Sequence, residues 1–132
     1  MMLALVLSGL AILFTWTVVD VLMHRVLLHR LYAANPALWR PSNQLNIPLV
    51  YVVTFALIAA FVLPYWLLVQ PKSLGAGLGF GAFLGLALGL GVGFGTYIHM
   101  PIPRPLAWAW FLGGWLKGAL AGAILGLLIT SV

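Results

Sequence analysis

The sequence predicts an all-α membrane protein: four transmembrane helices in a compact bundle, with glycine-zipper packing of helices three and four. Three observations lead there. Hydrophobic residues make up 64% of the 132-residue chain and charged residues only 5%, whereas a soluble domain carries about 25% charged residues to cover its surface. Four apolar stretches reach the roughly 20 residues that a membrane span needs. Glycine recurs at every fourth position along the last two of them.

The composition excludes several classes. Six Lys or Arg face one acid, a net charge of +5. Charges this sparse report topology, and they do not make the basic face that nucleic acid requires. Cysteine is absent, which removes disulfides, thiolate metal sites and thiol nucleophiles. The length fits a single domain.

The first span is expected over residues 2–24, with Asp20 its only charge. Residues 1–14 are apolar but have no basic stretch ahead of them, so the segment is read as a retained span and not a signal peptide. The second span covers 47–69, where Asn46 is a capping residue, Pro48 occupies the first turn and Pro64 is expected to kink the helix. Pro71 and Ser73 mark a short turn. The third span covers 74–98 and is uncharged. Pro101, Pro103 and Pro105 separate it from the fourth, 106–130, which carries Lys117 near its middle.

The one long connection is 25–45. Its first part, Arg25 to Ala34, lacks helix breakers and is expected to continue helix one past the membrane until Asn35-Pro36. The segment is expected at the membrane interface, with Arg25, Arg30, Tyr32, Trp39 and Arg40 as anchors or partner contacts. Trp108, Trp110 and Trp115 read as belt and packing residues. Arg25, Arg30, Arg40 and Arg104 follow helices one and three, against Lys72 alone on the other side. The positive-inside rule then puts loops one and three in the cytoplasm, and both termini in the periplasm of a bacterial inner membrane.

Helix three carries Gly77, Gly81, Gly85, Gly89 and Gly93; helix four carries Gly114, Gly118, Gly122 and Gly126. Residues four apart share a ridge, so each helix presents a strip without side chains. In lipid, where tails are as apolar as leucine, helices associate through such close packing. The simplest expectation pairs the two rows. Gly75, Gly79, Gly91 and Gly95 give helix three a second row, available to another subunit. No strand precedes these glycines, so they do not make a phosphate-binding loop.

Ionisable groups inside a bilayer are costly and raise a functional question. Asp20 and Lys117 are the two candidates, and His24 shares the Asp20 face of helix one while His29 points away. His99 ends helix three on the same side. Asp20, His24, His99 and Lys117 are therefore expected to converge. The readings are a polar plug that fixes helix register, a haem or divalent-metal site, or a proton or ion path. No complete catalytic motif is present: Ser/His/Asp sets, paired carboxylates, HExxH and Walker patterns are all missing.

The stretch Asp20 to Pro41, DVLMHRVLLHRLYAANPALWRP, resembles uncharacterised small bacterial four-helix inner-membrane proteins that have an Asp-x3-His motif at the end of helix one. The Pro-Ile-Pro before the last helix is similar too. The resemblance implies the four-span topology and no particular activity. The expected role is a small structural or accessory subunit of a homo-oligomer or larger membrane complex. Its partners would be the lipid bilayer and itself or other membrane subunits, with no cofactor and no catalytic activity of its own.

Overall fold

The structure, a computed structural model, describes residues 1–130. The described residues form helices and connecting turns only. Four helices are long and apolar enough to cross a membrane: α1 (Met2–Leu27), α3 (Ile47–Leu68), α4 (Leu74–His99) and α5 (Arg104–Leu128). Between the first two lies a short helix, α2 (His29–Ala34). The architecture is that of a multi-pass membrane protein. One end of the bundle carries Arg25, Arg30, Arg40 and Arg104; the other carries Lys72.

Local chemistry sets most boundaries. The Asn46 side chain accepts from the Leu49 N–H (3.1 Å), and the Ser73 hydroxyl accepts from the Ala76 N–H (3.0 Å). Each satisfies a donor that the helix leaves orphaned. Pro105 sits in the first turn of α5, where its missing N–H costs nothing. α3 runs unbroken through Pro64.

Two departures from sequence expectation concern α1 and α2. Helix one does not continue to Ala34. Its last stretch, Val21–Leu27, is π-helical, with the Leu28 N–H reaching back five residues to the Met23 carbonyl (2.8 Å). At Leu28 the backbone leaves helical geometry (φ −101, ψ 0) and α2 starts in a new direction. The cause is burial. Leu28 packs with Ile102, Leu106 and Ala107 in a small core beneath the loops of the arginine end, and Tyr32, Leu38 and Trp39 pack around it. A straight helix would carry Leu28 out into the headgroup zone. A second π-helical stretch, Gly91–Gly95, lies in α4 at the same end.

α5 is the hub. On one side it meets α4 backbone to backbone. A Cβ added at Gly77 would lie 2.8 Å from the Gly126 Cα; one added at Gly118 would lie 2.9 Å from the Gly85 N. Toward the arginine end the facing residues of α5 are no longer glycine: Gly93 faces Phe111 and Ala107. On its other side α5 joins α1 and α3 in the main core of Ile12, Trp16, Ile58, Phe61, Val62, Tyr65, Ala121, Leu125 and Ile129. The buried residues of α3 begin at Ile58; from Ile47 to Leu57 only Thr54 is even half-buried. The first half of α3 therefore stands away from the bundle.

Candidate functional site

The site is built where α1 crosses α5. Trp16 is buried against Phe61 of α3, edge to face at 5.3 Å between ring centres. Its indole N–H donates to the Lys117 carbonyl (2.9 Å). This bond sets the register of the two helices: Lys117 lies level with Trp16. Asp20 is one turn further along α1, about 6 Å toward the arginine end. The lysine stem spans that step, and its ammonium donates to both carboxylate oxygens of Asp20 (2.9 and 3.1 Å). On the way it passes 5.1 Å from the centre of the Trp16 ring, a cation–π distance.

His24 continues the Asp20 face into the π-helical stretch. Its Nε2 lies 3.8 Å from the Asp20 carboxylate, too far for a hydrogen bond. Its Nδ1 lies 2.5 Å from the Tyr32 hydroxyl. The break at Leu28 makes this possible, because it swings α2 back so that Tyr32 returns over His24. The Trp110 indole N–H donates to the same hydroxyl (2.8 Å). The Trp39 indole N–H donates to the Tyr32 carbonyl (3.1 Å), and Trp39 packs edge to face on Tyr32.

The donors fix the direction of the chain. An indole N–H can only donate, so the Tyr32 oxygen accepts from Trp110 and its own O–H points to His24. The His24 Nδ1 is then the acceptor, and the neutral ring carries its proton on Nε2, on the Asp20 side. The order is Trp110 to Tyr32 to His24, with Lys117 closing on Asp20 from the other side. Burial pushes the Tyr32 hydroxyl above its ordinary value of 10; the Trp110 hydrogen bond opposes this and the Asp20 charge adds to it. Tyr32 therefore stays a proton donor at neutral pH.

A cleft of about 260 Å³ adjoins this network. All four spans contribute to its walls, with Asp20, His24 and Lys117 on one side and apolar or aromatic residues elsewhere.

Of the residues singled out in the sequence, Asp20, His24 and Lys117 are brought together and His99 is not. His99 is exposed at the end of α4 and does not line the cleft. It continues the row Gly91 and Gly95, and those positions face open space rather than α5. The expected pairing of His24 and His99 on one ligand is corrected accordingly. Among the described residues no three His, Asp or Glu side chains gather at one point. Arg25, Arg30 and Arg40 are exposed, whereas Tyr32 and Trp39 turn inward. Trp16, Tyr32 and Trp110 are network members that residue-type reasoning assigned to packing or to the interface. The signal for Tyr32 was its spacing: His24, Leu28 and Tyr32 lie four apart. No family model, curated protein or solved structure matches the chain.

Proposed function

We propose that the chain is a small, non-catalytic subunit of a membrane assembly, either with copies of itself or within a larger complex. It would reside in a bacterial inner membrane with both termini in the periplasm. The arginines gathered at one end support this orientation. We read the facing glycines of α4 and α5 as a glycine zipper that makes these helices one rigid unit.

The observation that carries the proposal is the outer face of α4. Gly79 and Gly91 have no atom within 4 Å of where a Cβ would sit. With its inner row seated on α5, α4 keeps a second flat strip that nothing in the monomer covers. Meanwhile the charges inside the spans are spent on each other, through the Asp20–Lys117 pair. Abundant contact surface and internally neutralised chemistry fit an assembling subunit.

The test is the state of the protein in native membranes. A single cysteine at Gly79, in a chain that otherwise has none, should cross-link to a partner, and the solubilised wild type should migrate above monomer mass. A lone monomer with no cross-link rejects the reading. Orientation is checked with Ser42→Cys and Gln70→Cys: an impermeant thiol reagent outside the cell should label only the second.

A second reading, a ligand- or proton-handling protein, is favoured by the directed chain from Trp110 to Asp20. A haem or divalent-metal version is less favoured, because His24 and Asp20 stand without a third ligand residue. If Asp20→Asn leaves proton flux into liposomes unchanged, the conducting version is lost.

A further inference from the structure

We propose that the cleft beside Asp20 and His24 binds a membrane-dissolved amphiphile of the quinone class: a compact planar ring bearing carbonyl oxygens, on a long apolar tail.

The entrance argues for a ligand that arrives through lipid. The first half of α3 stands off the bundle, and the rim residues Leu57 (40% exposed), Leu88 (38%) and Val92 (55%) face outward. Asp20 lies seven residues inside the end of α1, about 10 Å below it. The cleft thus opens sideways at a depth where the surroundings are hydrocarbon. A water-soluble metabolite has no route there; a lipid-dissolved molecule has.

The walls argue for a flat ring. Trp16, Phe61 and Trp110 supply aromatic surface, and Val92 closes the outer side. The volume, about 260 Å³, falls just under the roughly 300–1,000 Å³ of sites that enclose a drug-sized molecule. One ring fits, and its tail leaves past α3 into the bilayer.

The polar atoms argue for carbonyl or hydroxyl oxygens. The His24 Nε2–H has no acceptor within hydrogen-bond reach, since Asp20 is 3.8 Å away. A ring carbonyl placed between them accepts from Nε2. In the reduced form of such a ring, the hydroxyl donates to the Asp20 carboxylate, which has lone pairs left after receiving Lys117. Both forms are held without a buried charge. Asp20 and Lys117 neutralise each other, so the cleft offers no net charge to an anionic headgroup. Binding is what the geometry supports, and it holds for a monomer or an assembled subunit alike.

The experiment uses the full chain in nanodiscs of quinone-free phospholipid, titrated calorimetrically with decyl-benzoquinone. Saturable binding is expected. His24→Leu should weaken it at least tenfold and Val92→Trp, on the outer rim, should abolish it; His29→Leu, on the opposite side of the chain, should leave it unchanged. Helix content and melting temperature are measured for each variant. If His24→Leu fails to fold, Val92→Trp still decides. The proposal is overturned if binding does not saturate, or if the folded variants all bind alike. It is equally overturned if decanol displaces the quinone at equal concentration, because the cleft then takes a chain and not a ring.

Discussion

Gly81→Ala tests whether α4 and α5 are held by backbone contact. A Cβ at Gly81 would lie 2.6 Å from the Gly122 Cα and 2.7 Å from the Gly122 N, against an ordinary contact of 3.4 Å or more. Both obstacles are backbone, so no side chain can swing aside. The helices must part by about 0.8 Å, and a gap of that size forfeits roughly a quarter to a half of each contact's attraction. Overpacking of this kind costs about 1–3 kcal/mol. The better helix propensity of alanine returns at most about 1 kcal/mol. A net loss of about 1–2 kcal/mol follows. Gly79→Ala is the matched control on the same helix: nothing lies within 4 Å of its Cβ position, so the same substitution should be neutral or slightly stabilising. Unfolding by sodium dodecyl sulfate in mixed micelles, followed by circular dichroism, measures both. Equal stability of the two variants would refute the backbone contact.

Three further outcomes follow from the network. Asp20→Asn alone should destabilise the bundle by about 2–4 kcal/mol, because Lys117 loses its counter-charge, while Asp20→Asn with Lys117→Met should recover most of that in the same assay; an equally unstable double variant rejects the pair. Tyr32→Phe leaves the Trp110 N–H and the His24 Nδ1 without their partner, at about 1–3 kcal/mol, and should shift Trp110 emission; wild-type stability and spectrum would show the three-way contact to be absent. Tyr32 should ionise above pH 10, the direction that burial sets. Its folded value is raised, so its contribution to stability is complete below the unfolded value near 10 and declines as pH rises through the folded one; tyrosinate absorbance at 295 nm, wild type minus Tyr32→Phe, should appear later than for free tyrosine.

The spans were legible because lipid imposes a simple rule: about 20 apolar residues in a row. Observed ends fall within three residues of the expected ones, as at Leu27 against 24 and Arg104 against 106. The proximity of Asp20 to Lys117 was readable from their being the two ionisable groups within the spans, together with the reach of a lysine stem. The break at Leu28 was not readable. No proline or glycine marks it, and the cause is tertiary: Leu28 is drawn under Ile102 and Leu106, residues more than 70 positions away. Tyr32 and Trp39 were misassigned for the same reason, since aromatic residues near a membrane boundary carry the same signature whether they face headgroups or a polar network. His99 was misplaced because the row Gly91 and Gly95 was taken to face a neighbouring helix, while the π-helical stretch Gly91–Gly95 disrupts the α-helical phase that this reasoning assumes.

α5 is attached to its three neighbours by three kinds of force. Backbone contact holds α4, a hydrogen bond and an ion pair hold α1, and apolar side chains hold α3 over its second half only. The third attachment ends at Ile58, just where the polar network begins, so the helix that would have roofed Asp20 and His24 leans away. A polar plug that served only to fix register would gain by being roofed, because an ion pair facing hydrocarbon keeps its desolvation cost without further hydrogen bonds to offset it. Asp20 instead retains 42% side-chain exposure and Lys117 24%. The Trp16 bond to the Lys117 carbonyl already sets the register without either charge. An ion pair that the register does not require, left uncovered at the wall of an apolar cleft, is best explained by a molecule that covers it.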